Sequence, residues 1–305
     1  VVPTVTLSPA EVTRLLAAHG LTPRKSLGQN FVADANTVRR IAHLAGIGPG
    51  DRVLEVGPGL GSLTLALAET GAQVVAVEAD AGLAEVLVGV LTDRGVDAVA
   101  TTPPALPAGA GVPDVQVVTA DALALPLADL LAPPPGWVVV ANLPYNIAAP
   151  LVLDLLEKVP VVTRLLVMVQ REVGERLVAP PGTRAYGIPS VVVAYHATGR
   201  IAGAVPASVF VPRPRVDSVL VELVRRPSPA TDTDHDRLFA LVRTAFAQRR
   251  KMLRRSLADL VDARAFAVAG VEPTARPEQL DITTWGRLAA AVSAGDVAGG
   301  DTHDG

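Results

Sequence analysis

The apolar positions along the chain change period from segment to segment. Residues 53–56, 73–78, 115–119, 137–141 and 165–169 are short, Val-rich runs. Such runs, bounded by turn and polar residues, read as buried strands. Around them, 35–45, 62–69, 81–91, 148–158 and 171–178 read as helices. In the first of these, Val38, Ile41, Ala42 and Ala45 fall on one face, and Asp34 stands where a helix needs a cap. A further helical stretch, 11–18, follows Ser8-Pro9, a cap and a first-turn proline. Residues 24–32 are polar and glycine-bearing and should be irregular.

Fully apolar strands alternating with helices predict an α/β domain whose mostly parallel sheet is covered on both faces. Ligands in such sheets sit beyond the carboxyl ends of the strands. Residues 183–199 fit helix and strand equally. Pro212 and Pro214 force 210–217 to extend or turn, and 219–224 should complete the sheet. A polar linker at 227–234 then separates a small module of short helices, at 236–247, 252–260, 263–269 and 285–292. The expected domains are 1–227, 228–294 and a Gly/Asp-rich tail, 295–305, without fixed structure. Residues 97–114 have no packing period and read as an extended surface insertion.

Composition narrows the chemistry. There is no cysteine, so disulfides, thiolate metal sites and cysteine nucleophiles are excluded. His19, His43, His196, His235 and His303 have no ligand spacing, and no metal is expected. No run of 18 apolar residues appears, and 1–10 lacks the basic and apolar parts of a secretory signal. A cytoplasmic monomer without membrane contact is expected. The net charge of -3 conceals an uneven distribution. Residues 200–255 hold twelve Lys or Arg against five acids, a local surplus that fits either nucleic acid or an ordinary charged surface.

Four elements fall at predicted strand ends. Gly57, Gly59 and Gly61 follow the first strand and permit a tight turn and close ligand approach. The third glycine comes one position too early for the dinucleotide fingerprint, so pyrophosphate is not the natural ligand. Glu78 closes the second strand, where an acid can accept from both hydroxyls of a ribose. Asp121, after the third strand, can accept from an adenine amino group, though acids cap helices as readily. The fourth element is Asn142-Leu143-Pro144-Tyr145-Asn146. The Asn142 side-chain oxygen and a backbone carbonyl such as that of Leu143 can hold both hydrogens of an exocyclic amine. That would aim its lone pair at a methyl sulfonium and favour the charge developing on nitrogen. Pro144 stiffens the loop, and Tyr145 offers a face on which a base can stack. Without further context the same five residues also describe a turn with a packed tyrosine.

Together these motifs resemble the rRNA adenine N6,N6-dimethyltransferase family, most of all the bacterial enzymes acting near the 3′ end of small-subunit rRNA. The resemblance runs from about residue 24 to 288. It rests on LGQNF at 27–31, EVGPGLGSLT at 55–64, VEAD at 77–80, DAL at 121–123, NLPYN at 142–146 and FVPRPRVDS at 210–218. It implies a Rossmann-like methyltransferase fold with a mostly parallel seven-stranded sheet, plus a small all-helical C-terminal domain. The implied cofactor is S-adenosylmethionine, and the implied partner is small-subunit rRNA within an immature ribosomal particle. By resemblance, Gln29 and Asn30 close the cofactor site, Gly57, Gly59 and Gly61 form its floor, Glu78 holds the ribose, and Asp121 with Ala122 reads the cofactor adenine. Asn142, which also contacts the cofactor, and Leu143 hold the target amine, and Tyr145 and Phe210 sandwich the flipped adenine. The run QRRKMLRR at 248–255 puts Arg249, Arg250, Lys251, Arg254 and Arg255 in a domain that helps seat RNA. Two other readings share much of this pattern. One is an enzyme of the macrolide-resistance type that methylates large-subunit rRNA. The other is a non-catalytic RNA-binding assembly factor that kept the fold.

Overall fold

The computed structural model describes residues 6–24, 28–101, 112–131 and 133–292. The chain divides into two compact units, Val1–Gly174 with Gly199–Arg225, and Glu175–Thr198 with Arg226–Gly305.

The first unit opens with α1 (Pro9–Ala18), where Ser8 and Glu11 form a reciprocal capping box. A short strand β1 (Phe31–Val32) leads into α2 (Ala35–Ala45), capped by Asp34 as its sequence predicts. The α/β succession then runs β2 (Arg52–Val56), α3 (Ser62–Ala68), β3 (Gln73–Glu78), α4 (Ala81–Asp93), β4 (Ala98–Thr101), β5 (Val115–Thr119), α5 (Leu127–Leu130), β6 (Trp137–Asn142), α6 (Ala148–Lys158) and β7 (Val162–Gln170). Two helices follow, α7 (Arg171–Leu177) and α8 (Ile188–His196), the latter resolving the ambiguous 183–199 stretch as helix. Then come β8 (Ala197–Val205), β9 (Phe210–Val211) and β10 (Ser218–Arg225).

The main sheet has the order β4-β5-β3-β2-β6-β7-β10-β8. Every pair from β4 to β7 is parallel, and β10 runs antiparallel to β7. The sheet thus has eight strands, not seven. The added edge strand β4 falls in the segment read as an insertion, of which 102–111 lie outside the described residues. Its Ala and Val residues are partly exposed, which removes the apolar signal a central strand would carry. The strands β2 and β6 lie side by side where the chain order reverses, the place such sheets reserve for ligands. A separate two-stranded ribbon pairs β1 with β9, Phe31 opposite Val211 and Val32 opposite Phe210.

Arg225 closes β10 by donating to four carbonyls at the end of α6 and just beyond. Its Nε meets Val162 O at 2.6 Å, Nη1 meets Leu156 O at 2.8 Å, and Nη2 meets Leu155 O at 2.9 Å and Val159 O at 3.1 Å. Carbonyls at a helix end are short of intrahelical donors, and one guanidinium adds donors here, Leu155 O also accepting from Val159 N.

The second unit contains α8 and four further helices, α9 (His235–Ala247), α10 (Leu253–Ser256), α11 (Ala263–Ala269) and α12 (Ile282–Ala291). The 252–260 helix is one turn only, and α12 starts earlier than its pattern suggests because Asp281 caps it. Trp285, fully buried, and Phe239 anchor its core. The rings of Tyr195, His196, His235 and Phe239 pack together, His196 and His235 with centroids 6.2 Å apart. The tail 295–305 lies outside the described residues.

Candidate functional site

A cavity opens at the carboxyl ends of the first unit's strands. Gln29, Asn30, Gly57, Gly59, Glu78, Asp121, Ala122, Asn142 and Pro144 line it, so residues spread over more than a hundred positions meet there. Gly61, Leu143, Tyr145 and Phe210 are not part of its lining.

The turn after β2 requires its glycines. Gly57 and Gly59 have φ of +70° and +58°. A Cβ on Gly59 would lie 2.8 Å from the Phe31 ring, and one on Gly57 would lie 3.1 Å from Pro144 Cδ. Side chains there would fill the cavity floor or push away the wall opposite. Gly61 acts differently: it precedes α3, and a Cβ would meet Leu87 at 2.6 Å, so it permits close packing against α4.

Glu78 is buried, and its two oxygens accept the backbone N–H groups of Gly59 at 3.0 Å and Asp80 at 2.9 Å. Each carboxylate oxygen keeps a second acceptor site, so the pair can still receive two ribose hydroxyls. Burial raises the Glu78 pKa, opposed by the N–H groups of Asp80 and Gly59. Asp121 is exposed, and its Oδ1 accepts from Leu123 N at 3.0 Å, which holds the carboxyl at the turn after β5. Ala122 beside it is buried.

Residues 28–30 form the opposite wall. Gln29 Oε1 accepts from Arg24 N at 2.8 Å, and Arg24 lies 3.5 Å from the Asp80 carboxylate. Asn30 Nδ2 donates to Gly28 O at 3.1 Å. Gly28, at φ +63°, abuts the Asn142–Asn146 loop: a Cβ would come within 2.9 Å of Tyr145 N.

Asn142 ends β6. Its Nδ2 donates to Asn30 O at 3.1 Å. That bond assigns the two ends of the amide and leaves Oδ1 as the free acceptor end. Leu143 is buried, its N–H held by Met168 O at 3.1 Å. Tyr145 is half-buried, its hydroxyl 3.2 Å from Ser218 Oγ, and burial raises its pKa. Phe210 is only 3% exposed, so its ring is packed into the apolar core and presents no open face in this arrangement.

Glu55 and Ser62 stand in the EVGPGLGSLT run, whose pattern alone assigns them no role. Glu55 is 1% exposed within β2 and lines the cavity with Ser62. Glu55 Oε2, Ser62 Oγ and Thr64 Oγ1 are buried without hydrogen-bond partners. Burial pushes the Glu55 carboxyl up to about 8, opposed by the neighbouring Thr64 hydroxyl and aided by the Glu78 carboxyl. Buried polar groups ordinarily find partners, and the two that line the cavity, Glu55 Oε2 and Ser62 Oγ, ask for a polar ligand. An acid inside an otherwise apolar strand was the available signal. A glycine floor, an acid placed for a ribose, and orphaned polar atoms suited to an ammonium or carboxylate fit an amino-acid-bearing nucleoside such as S-adenosylmethionine.

In the second unit Arg250, Lys251, Arg254 and Arg255 are exposed. Arg249 is engaged inside the unit: its Nη2 donates to Thr183 O at 3.3 Å and Arg184 O at 3.0 Å, and its Nε lies 3.7 Å from Glu278.

A family model described as "Ribosomal RNA adenine dimethylase" matches residues 20–292. A protein of Kineococcus radiotolerans named "Ribosomal RNA small subunit methyltransferase A" is 49% identical over 300 residues, covering 97% of this chain and 94% of that protein. The crystal structure of the 23S rRNA methyltransferase ErmE superposes with a TM-score of 0.64 at 25% identity, over 86% of this chain and 99% of that one. A dimethyladenosine transferase from Plasmodium falciparum superposes with a TM-score of 0.65 at 24% identity, over 84% and 94%, and shares the fold.

Proposed function

The chain belongs to the ribosomal RNA adenine dimethylase family, and from that premise we propose that it converts two adjacent adenosines near the 3′ end of small-subunit (16S) rRNA to N6,N6-dimethyladenosine. It is an S-adenosylmethionine-dependent rRNA adenine methyltransferase. The bound cofactor supplies a methyl group on a positively charged sulfur.

One contact carries the reading of the site: the bond from Asn142 Nδ2 to Asn30 O. It fixes the amide so that Oδ1 can accept one hydrogen of the target amine, while the Leu143 carbonyl accepts the other. An adenine amine donates its lone pair to the ring and is a poor nucleophile. Two acceptors reverse part of that delocalisation and stabilise the charge that nitrogen gains. No strong base is needed, because the methylated ammonium is itself acidic and releases its proton to an acceptor or to water. Tyr145 stacks on the extruded base, and Phe210 forms the second face once its ring turns out of the core. Glu78 holds the ribose, Gly57 and Gly59 admit the cofactor, and Asp121 with Ala122 meets its adenine. Gln29 and Asn30 close over it.

Arg250, Lys251, Arg254 and Arg255 seat the particle's RNA in this reading, and Arg249 supports the loop they share a unit with. Among the described residues no helix is long and apolar enough to cross a membrane. The chain acts as a cytoplasmic monomer in this proposal.

The test supplies the full chain with labelled S-adenosylmethionine and either immature small-subunit particles or naked large-subunit RNA. Mass spectrometry of the digested RNA should show dimethyladenosine in the particle. Label confined to large-subunit RNA would move the target to the macrolide-resistance type. Cofactor binding with no dimethyladenosine on authentic particles would make the chain a non-catalytic assembly factor.

A further inference from the structure

The loop joining β9 to β10, residues 212–217, supplies no residue to the cofactor cavity, yet both its ends are fixed at the site. At one end Phe210 and Val211 pair with Val32 and Phe31, which line the cavity. At the other, Ser218 is fully buried, sits opposite Gln170 of β7, and meets the Tyr145 hydroxyl at 3.2 Å. The loop therefore lies at the carboxyl ends of the strands, next to the Asn142–Asn146 turn.

Within the loop Arg213, Arg215 and Val216 are exposed. Its one acid, Asp217, is occupied: Oδ1 accepts from Ala207 N at 3.0 Å, and Oδ2 lies 3.8 Å from Arg171 Nη2. Arg213 and Arg215 make no ion pair or hydrogen bond among the described residues. Pro212 and Pro214 flank Arg213 and restrict its backbone. Two guanidinium groups thus stand uncompensated on the loop that ends at the hydrogen-bond partner of Tyr145, on a backbone with little freedom to lose.

We propose that Arg213 and Arg215 form a phosphate clamp that grips the RNA backbone on either side of the adenosine entering the pocket. The inference rests on the reading of the site as one for adenine in RNA. Drawing a base from its stack costs a few kcal/mol and brings its flanking phosphates to the pocket mouth. Guanidinium groups meet phosphate oxygens in a bidentate fork, and such contacts position a strand without reading its sequence. They recover part of the extrusion cost where it is incurred.

The test compares the full chain with an R213A/R215A double variant on immature small-subunit particles, with R213K/R215K as a charge-retaining control. Methyl transfer is read as a function of particle concentration and salt, and S-adenosylmethionine affinity is measured separately. The double alanine variant should raise KM for the particle about tenfold or more at low salt. It should also flatten the salt dependence of log K by about 0.7 per lost single-strand phosphate contact. The lysine variant should keep the salt slope, and cofactor affinity should match wild type. An unchanged KM and slope in the alanine variant would overturn the clamp. So would a parallel loss of cofactor affinity, which would assign the loop to the cavity wall. If wild type labels only large-subunit RNA, the target proposed above falls, and the same comparison on that RNA still decides the clamp.

Discussion

The hydroxyl oxygens of Tyr145 and Ser218 lie 3.2 Å apart, joining the loop after β6 to the first residue of β10. Ser218 is fully buried, so it is a fixed point, and the tyrosine ring takes its orientation from it.

Removing the ring should separate base capture from cofactor binding. Tyr145→Ala loses stacking worth about 1–3 kcal/mol, and KM for RNA should rise accordingly with S-adenosylmethionine affinity little changed. Tyr145→Phe keeps the ring and loses one hydrogen bond of about 0.5–1.5 kcal/mol, so its defect should be the smaller. Paired titrations of cofactor and methylation kinetics check the order; equal losses of both affinities in Tyr145→Ala would mean that the pocket has collapsed.

Asn142→Ala should lower turnover by about 10²–10³-fold, the usual loss for one pre-organised group at a developing charge. Cofactor affinity should fall far less, by no more than the loss of the Nδ2 bond to Asn30 O, because in the proposed mechanism the oxygen addresses the amine. Single-turnover rates beside calorimetric cofactor binding make the measurement, and undiminished turnover would remove Asn142 from the chemistry.

Glu55 makes stability depend on pH in a direction unusual for a carboxylate. Its pKa rises from 4.5 unfolded to about 8 folded, so between those values the folded chain holds a proton that the unfolded chain has released. Stability from this group is full below about 4.5, declines as pH rises through the interval, and is gone above about 8. The unfolding free energy without cofactor, from chemical denaturation, should fall across that window by on the order of a few kcal/mol, with Glu78 contributing in the same direction. Glu55→Gln should flatten the decline. A variant that retains the full wild-type slope would show that another group titrates.

The basic run should split into two classes. Arg249→Ala loses charge-assisted bonds to the carbonyls of Thr183 and Arg184 and should cost about 1–3 kcal/mol of stability. Arg250→Ala, Lys251→Ala, Arg254→Ala and Arg255→Ala should stay within about 0.5 kcal/mol of wild type. Each should weaken RNA binding most at low salt. Chemical denaturation and salt-dependent RNA binding separate the two; an Arg249→Ala protein as stable as the rest would reassign that arginine.

The strands that build the site were legible because their largely apolar runs stop at residues with chemistry: Gly57, Glu78 and Asn142. The outer strands were not. β4 is half-exposed, and β8 carries Gly199, Arg200 and Gly203 along a mostly exposed edge, so neither has the apolar period that marks a buried strand. Glu55 stands in plain view in the sequence, but its burial and missing partners arise only when β2 packs between β3 and β6. Likewise, nothing near residue 249 reveals that its partners are carbonyls 65 and 66 positions upstream. Phe210 shows the opposite limit. Its motif is distinctive, yet its packed ring depends on pairing with β1, which local pattern does not encode.

Arg225 holds the far end of the helix that the Asn142–Asn146 turn leads into. The turn leaves the middle of the sheet through β6 and enters α6, whose far end one guanidinium clasps through carbonyls on both sides of the helix terminus. A side chain from β10 therefore pins the opposite pole of that helix, and loosening its grip would cost stability and free the helix to shift beneath the turn.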